Sequence, residues 1–325
     1  MSTTPPSPVL PSIEPLISQC RSVHFHPDRI APAISEWGHL LNPSSSWDHP
    51  CHFFDGTGET VRWIFTLDVL NHCFWPDLGE PTWAVPYAGG LHSGYWGLAA
   101  SLKRALESDY PITDPAYLAQ ITSHDLQHIF SGEGSIPQFA ERLENLREAG
   151  SVILTRFGGD LISLLSRASG SAVQLVLEIV SAFPSFRDEA TCRGRKVYFW
   201  KRAQIFASDL FAAFGGKDFG YFTDIEHLTA FADYKLPQVL RELGIISYDP
   251  ALAAGIDAFL YLAPGCEQEI EIRAMTIWAV EEIKKAFAQT GQNVTSAQAD
   301  NWLWQLGQLD AFRNHPYHRC RTIFY

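Results

Sequence analysis

The stretch 220–238, GYFTDIEHLTAFADYKLPQ, gathers the residue types that hold and act on a flat heteroaromatic ligand. Phe222 and Asp224 lie two apart, and Asp233 and Tyr234 follow nine residues later, just before Pro237. Carboxylates and rings thus meet near two turn-like boundaries, where side chains can project into a cleft. A purine-like base needs an aromatic plate for its π face and an acceptor for its edge. A guanine-type edge presents two adjacent N–H donors, which one carboxylate accepts in parallel. Phe222 and Asp224 are the right types for such a pocket. They fit a plainer arrangement equally well, with Asp224 capping a helix and Phe222 filling core.

Other chemistries lose their usual signals. His124 and His128 stand one helical turn apart, but Asp125 replaces the glutamate that a zinc-helix pattern needs and is too short to reach an equivalent water. They read as surface histidines. Gly56-Thr-Gly58 lacks the third glycine of a dinucleotide loop, and neither a GxxxxGK[ST] loop nor a GxSxG elbow occurs. We therefore expect no metal and no cofactor.

These residues must be positioned by helices. Apolar positions recur every three or four residues over 60–75, 93–107, 137–156, 171–183, 199–214, 236–245, 250–262 and 268–288. Asp224, Asp249 and Ser296 are candidate N-caps, and the Gly-Gly pairs at 89–90, 158–159 and 215–216 are natural stops. Strand signals are confined to WAVPYAGG (83–90) and GRKVYFW (194–200). The expected fold is mainly α, compact, with a small β element. Residues 1–12 read as a flexible tail and 13–325 as a single domain.

The chain has 325 residues with 46% hydrophobic and 18% charged residues, a globular composition. Its net charge of -12 argues against tight nucleic-acid binding, because a duplex binder must neutralise several phosphates. A small anionic ligand needs only two or three local cations. The six cysteines form no CxxC pair, which suits reduced thiols. No signal pattern opens the chain and no apolar run is long enough to span a bilayer, so a cytoplasmic protein with no membrane partner is expected, as a monomer.

Several segments closely resemble the queuosine salvage family, the queuosine 5′-phosphate N-glycosylase/hydrolases. They are TLDVLNHCFWPD (66–77), HSGYWGLAASLKRALE (92–107), RFGGD (156–160), FPSFRD (183–188), FWKRAQIFASDLF (199–211), FTDIEHLTAFADYKLPQ (222–238), EIEIRAMTIWAVE (269–281) and HPYHRCRTIFY (315–325). The resemblance implies a helical fold similar to that of DNA glycosylases. It also implies hydrolysis of the N-glycosidic bond of queuosine 5′-phosphate, releasing queuine for reinsertion into tRNA.

Under that resemblance Asp233 is the catalytic carboxylate, placed to stabilise oxocarbenium character on the ribose, to orient or deprotonate the attacking water, or to act as a covalent nucleophile. Phe222 and Asp224 carry over as base-stacking and base-edge residues. Tyr234 is assigned to the ribose or the base's cyclopentenediol, and His52, in CHFFDG, to a ligand contact near the base. Asp300, in ADNWLWQ, would suit the secondary ammonium or the diol of the queuine side chain. Lys201, opening a helix in FWKRAQ, is the candidate for the 5′-phosphate, with His318, Arg319 and Arg321 in reserve. Queuine's 7-deaza ring lacks the nitrogen that glycosylases of ordinary purines protonate, so leaving-group help must come from elsewhere. Two alternatives stay open: a non-catalytic base-binding protein, and a DNA or RNA base-excision glycosylase.

Overall fold

The computed structural model describes residues 7–42 and 47–325. In chain order the helices are α1 (Val9–Ile17), α2 (Ile30–Trp37), α3 (Gly58–Val69), α4 (Gly94–Glu107), α5 (Pro115–Leu118), α6 (Ser123–Ile129), α7 (Phe139–Phe157), α8 (Ser163–Ala168), α9 (Ala172–Ala182), α10 (Lys201–Ala213), α11 (Lys235–Glu242), α12 (Pro250–Asp257), α13 (Glu267–Gln289) and α14 (Ser296–Leu306). The strands form four two-stranded pairs. Antiparallel pairs join β1 (Val23–Phe25) to β6 (Ile246–Tyr248), β2 (Ala84–Tyr87) to β3 (Gly90–Ser93), and β4 (Glu189–Cys192) to β5 (Arg195–Tyr198). β7 (Tyr261–Leu262) and β8 (Arg319–Cys320) run parallel. The fold is mainly α with small β elements.

α13 is the axis. Residues Glu269 through Ile277 are all buried, so no face of that stretch meets solvent, as expected of a central helix. It packs against α1, α2, α11 and α14, while α10 packs on α3 and α9. An aromatic knot of Phe65, Phe183, Phe186 and Phe206, with ring centroids 5.1–5.9 Å apart, locks α3 and α10 to the turn after α9.

Local sequence explains most boundaries. Asp249 caps α12 by accepting from the amides of Ala251 and Leu252. The β2–β3 hairpin turns through Ala88 and Gly89 at φ 49° and 80°, the mirror-image turn that matches strand twist. Three expectations shift. The cap of α14 is Thr295, in a capping box with Gln298, and not Ser296. α12 stops at Asp257, because Phe259 adopts φ 58° and releases Tyr261–Leu262 to pair with Arg319–Cys320. Residues 9–12, read as tail, belong to α1, whose Val9 and Ile13 are fully buried; residues 1–6 lie outside the described part. Their prolines and serines masked an apolar pair one turn apart.

Candidate active site

A cavity of about 650 Å³ opens between α10, α14, the start of α4 and the segment leading into α11. It is large enough for a nucleotide-sized ligand. α10 supplies one wall as a stripe of Lys201, Ile205, Ser208, Asp209 and Ala212, the residues that 3.6-residue periodicity puts on one face. Lys201 opens this helix because Trp200, at φ 50°, turns the chain sharply out of β5. Of the residues chosen from sequence, Asp233, Tyr234, Lys201, Asp300 and His52 all line this cavity.

Asp233 is held by half of its carboxylate. Its Oδ1 accepts from the backbone amides of Lys235 (2.7 Å) and Leu236 (3.0 Å), the exposed donors at the start of α11. Among the described residues its Oδ2 has no hydrogen-bond partner. Burial raises its pKa, against the pull of the Lys201 ammonium and the two amides. Lys201 is itself buried, donates to the carbonyl of Asn71 at 3.2 Å, and has its pKa lowered by burial. The charges of Asp233, Asp68 and Asp300 oppose that lowering. A phosphate dianion at Lys201 would meet those carboxyl groups, so its surroundings suit a counter-ion to them better than the phosphate seat expected from sequence.

Asp300, on α14, accepts the amide of Phe231 through Oδ2 at 2.7 Å. Burial, reinforced by the negative charge of Asp233, holds its pKa well above the usual carboxylate range. Two nearby carboxyl groups are thereby driven apart in acidity, the pattern that separates an acid from a base.

His52 has both ring nitrogens committed. Nδ1 lies 2.9 Å from the carbonyl of Trp47, which can only accept, so Nδ1 carries the proton. Nε2, 2.8 Å from the Tyr95 hydroxyl, is then the acceptor and Tyr95 the donor. The ring stacks on Trp47 at 3.8 Å, and burial pushes its pKa down to about 4, keeping it neutral. His52 thus shapes the wall and orients Tyr95. Tyr234 packs on Tyr317 with ring centroids 4.9 Å apart and the planes tilted by 49°.

Phe222 and Asp224, offered from sequence as base-pocket residues, lie elsewhere. Neither lines the cavity. Phe222 is buried in the core, and both oxygens of Asp224 are occupied, Oδ2 by the Ser171 hydroxyl and Oδ1 by the Ala172 amide, each at 2.6 Å. Ser171 caps α9, so Asp224 braces that cap, while the residues it precedes form only a short 3₁₀ turn. Phe231, in contrast, is one of several aromatics that line the cavity. Within the stretch 220–238 the pattern F-x-D recurs, at 222–224 and 231–233, and the second of these two copies is the one at the cavity.

Sequence reasoning also missed Asp209 and Asp68. Each sits in an apolar helical run, ASDLF and LDVL respectively, where a carboxylate is out of place. Burial pushes Asp209 up to about 7, and burial with the repulsion of Asp209 holds Asp68 well above the usual range. His124 lies on the exposed face of α6, where His128 stacks on Tyr110. Among the reserve cations, Arg321 pairs with Asp77 and Arg319 lies over Trp75 and Phe259, neither of them lining the cavity.

Fold and site together define a helical protein with a nucleotide-sized cavity lined by a group of carboxyl side chains and one buried lysine. Comparison with known proteins gives the family. Residues 51–325 match the queuosine salvage protein family, and the chain belongs to it. It is 46% identical over 317 residues to a queuosine 5′-phosphate N-glycosylase/hydrolase of Sphaerobacter thermophilus, covering 98% of this chain and 97% of that one. Proteins of the same description from Nematostella vectensis (38% identical, 86% and 85% covered) and Mus musculus (36%, 92% and 89%) are also similar. No helix among the described residues is long and apolar enough to cross a membrane.

Proposed function

We propose that this protein hydrolyses the N-glycosidic bond of queuosine 5′-phosphate and releases queuine. The observation that carries the reading is Asp233, a cavity carboxylate with one oxygen anchored to a helix start and the other unbonded, beside Lys201. The anchored oxygen fixes the geometry. The unbonded one is available to a ribose that becomes positive at C1′ and to the water that attacks it.

In this scheme the bond between C1′ and the base breaks with its electron pair leaving on the base nitrogen. The oxygen of water joins C1′, and Asp233 takes a proton from that water. Asp300, kept protonated by burial and by its neighbour, donates to the departing base. That supplies the leaving-group help which a 7-deaza ring cannot receive at position 7. Phe231 takes the stacking role first given to Phe222. Lys235 is the other lysine of the cavity wall and forms no ion pair with a described residue; we assign it the 5′-phosphate.

The test is incubation of the purified protein with queuosine 5′-phosphate, without added metal, and chromatography for free queuine. Release by wild type and not by Asp233→Asn supports the reaction and the residue. A folded wild-type protein that binds queuine without ever releasing it from the nucleotide leaves only a binding protein.

A further inference from the structure

The reaction uses Asp233, Asp300 and Lys201, and leaves Asp209 unexplained. Asp209 lies about two turns along α10 from Lys201, on the same cavity-facing stripe. Among the described residues none hydrogen-bonds its carboxyl group and no cation lies within ion-pair distance. Behind it stands Asp68, fully buried, with Oδ2 lacking any partner. An unpaired carboxylate out of bulk water is costly, and a second one beside it makes matters worse.

The protein's own groups do not relieve this. The charged and titratable groups acting on the pair are Lys201 and Arg202 on α10, Asp68 and Asp209 on each other, and Tyr95 on α4. Lys201 is shared with Asp233 and Asp300, and Arg202 spends its guanidinium on the carbonyls of Asp68, Val69 and Ser185. The Tyr95 hydroxyl has already donated its one proton to His52. Toward the cavity, Tyr95 and the ionised form of Asp209 therefore present only acceptors, and a cation placed there favours that form.

Two acceptors and a negative charge form the complement of a secondary ammonium, which has two N–H donors and a positive charge. A neutral guanine-type edge needs acceptors but no charge, and gives no reason for the surplus carboxyl group. We propose that Asp209, with Tyr95 beside it, is the specificity-determining residue that receives the side-chain ammonium of queuosine 5′-phosphate. This rests on the substrate reading above, and it moves to Asp209 the contact that sequence had offered Asp300.

Calorimetric titration of free queuine, which carries the same ammonium, tests the subsite apart from turnover. The comparison ligand is an analogue with the amine nitrogen replaced by carbon. Wild type should bind queuine the more tightly. Asp209→Asn, a neutral near-isostere, should weaken queuine on the order of ten- to a hundredfold while changing the analogue less than about threefold. Tyr95→Phe should act in the same direction with a smaller loss. Equal loss for both ligands, no loss for either, or a wild type that does not discriminate between them overturns the proposal. Failure of the reaction looks different: queuine is then bound through Asp209, but no nucleotide is cleaved.

Discussion

The segments Phe222–Asp224 and Phe231–Asp233 share residue types and spacing, lie nine residues apart, and do unrelated things. In the first, Thr223 is pinned by its amide to Gly170 and the carboxylate is consumed by Ser171 and Ala172. In the second, the carboxylate keeps one oxygen unbonded in a cavity. Both aspartates answer unpaired amides at a helix start. The difference lies in what the second oxygen meets: for Asp224 a serine of the same cap, for Asp233 the cavity. Under the proposed function, capping and catalysis are then not alternatives for an aspartate, since a cap that uses one oxygen pre-organises the other.

The sharpest way to break the comparison is to neutralise the second copy. Asp233→Asn should lower kcat by about 10³-fold or more, since the group faces charge that develops only in the transition state. Queuine affinity should change far less, read by titration beside single-turnover rates. A variant that keeps a tenth of wild-type kcat would move the catalytic role elsewhere, with Asp300 next to test.

The two copies also differ in what holds them. Arg273 donates Nε to the carbonyl of Ala232 at 3.1 Å and grips Asp188 with both terminal nitrogens, at 2.8 and 2.5 Å. Asp188 in turn accepts the amide of Lys201 at 3.2 Å. One buried ion pair, flanked by Phe199 and Tyr325, thus ties the loop of Asp233 to the helix of Lys201. Arg273→Met leaves Asp188 buried without its partner and should cost about 3–5 kcal/mol in urea denaturation. Arg273→Lys keeps the charge without the fork and should recover part of that stability. A neutral outcome for Arg273→Met would show that the pair does not brace the site.

How far the sequence could be read follows the same division. Helical periodicity gave α4, α7, α9, α10 and α13 to within two residues, because each buries a stripe whose spacing is local, and overran the end of α3 by six. The hairpin and the Asp249 cap were equally local. The choice between the two F-x-D copies was not, because it turns on Gly170 and Ser171 some fifty residues upstream of the first and on Phe231 and Asp300 meeting across the fold. Resemblance, with helix-start chemistry for Lys201, offered Asp233, Tyr234, Lys201, Asp300 and His52 each a separate task, and the fold brings all five to one cavity. Burial and mutual charge are what recast Lys201 as a counter-ion. Asp68 and Asp209 could have been suspected as carboxylates inside apolar helical runs.

A smaller effect separates Asp233 from a simple cap. Burial raises its pKa and the Lys201 charge lowers it, so removing Lys201 must raise it further. The ionised form is the working form, so activity is lost as pH falls through this pKa. Lys201→Met should therefore move the acid limb of the kcat/KM profile to higher pH, by about one pH unit. Lys201→Arg, which keeps the charge, should hold the limb near its wild-type position. A limb that stays fixed in Lys201→Met would mean that another group sets it.

The first copy predicts the smallest change. Asp224→Ala removes the brace on the α9 cap and strands the Ala172 amide, which should cost about 1 kcal/mol of stability. The expected reading is a lower urea midpoint with unchanged slope. Since Asp224 does not line the cavity, kcat and KM for queuosine 5′-phosphate should stay within about twofold of wild type at temperatures where both proteins are folded. Stability loss with intact kinetics keeps the two copies distinct. A rise in KM without loss of stability would return Asp224 to the base edge, and the resemblance between the segments would then be functional after all.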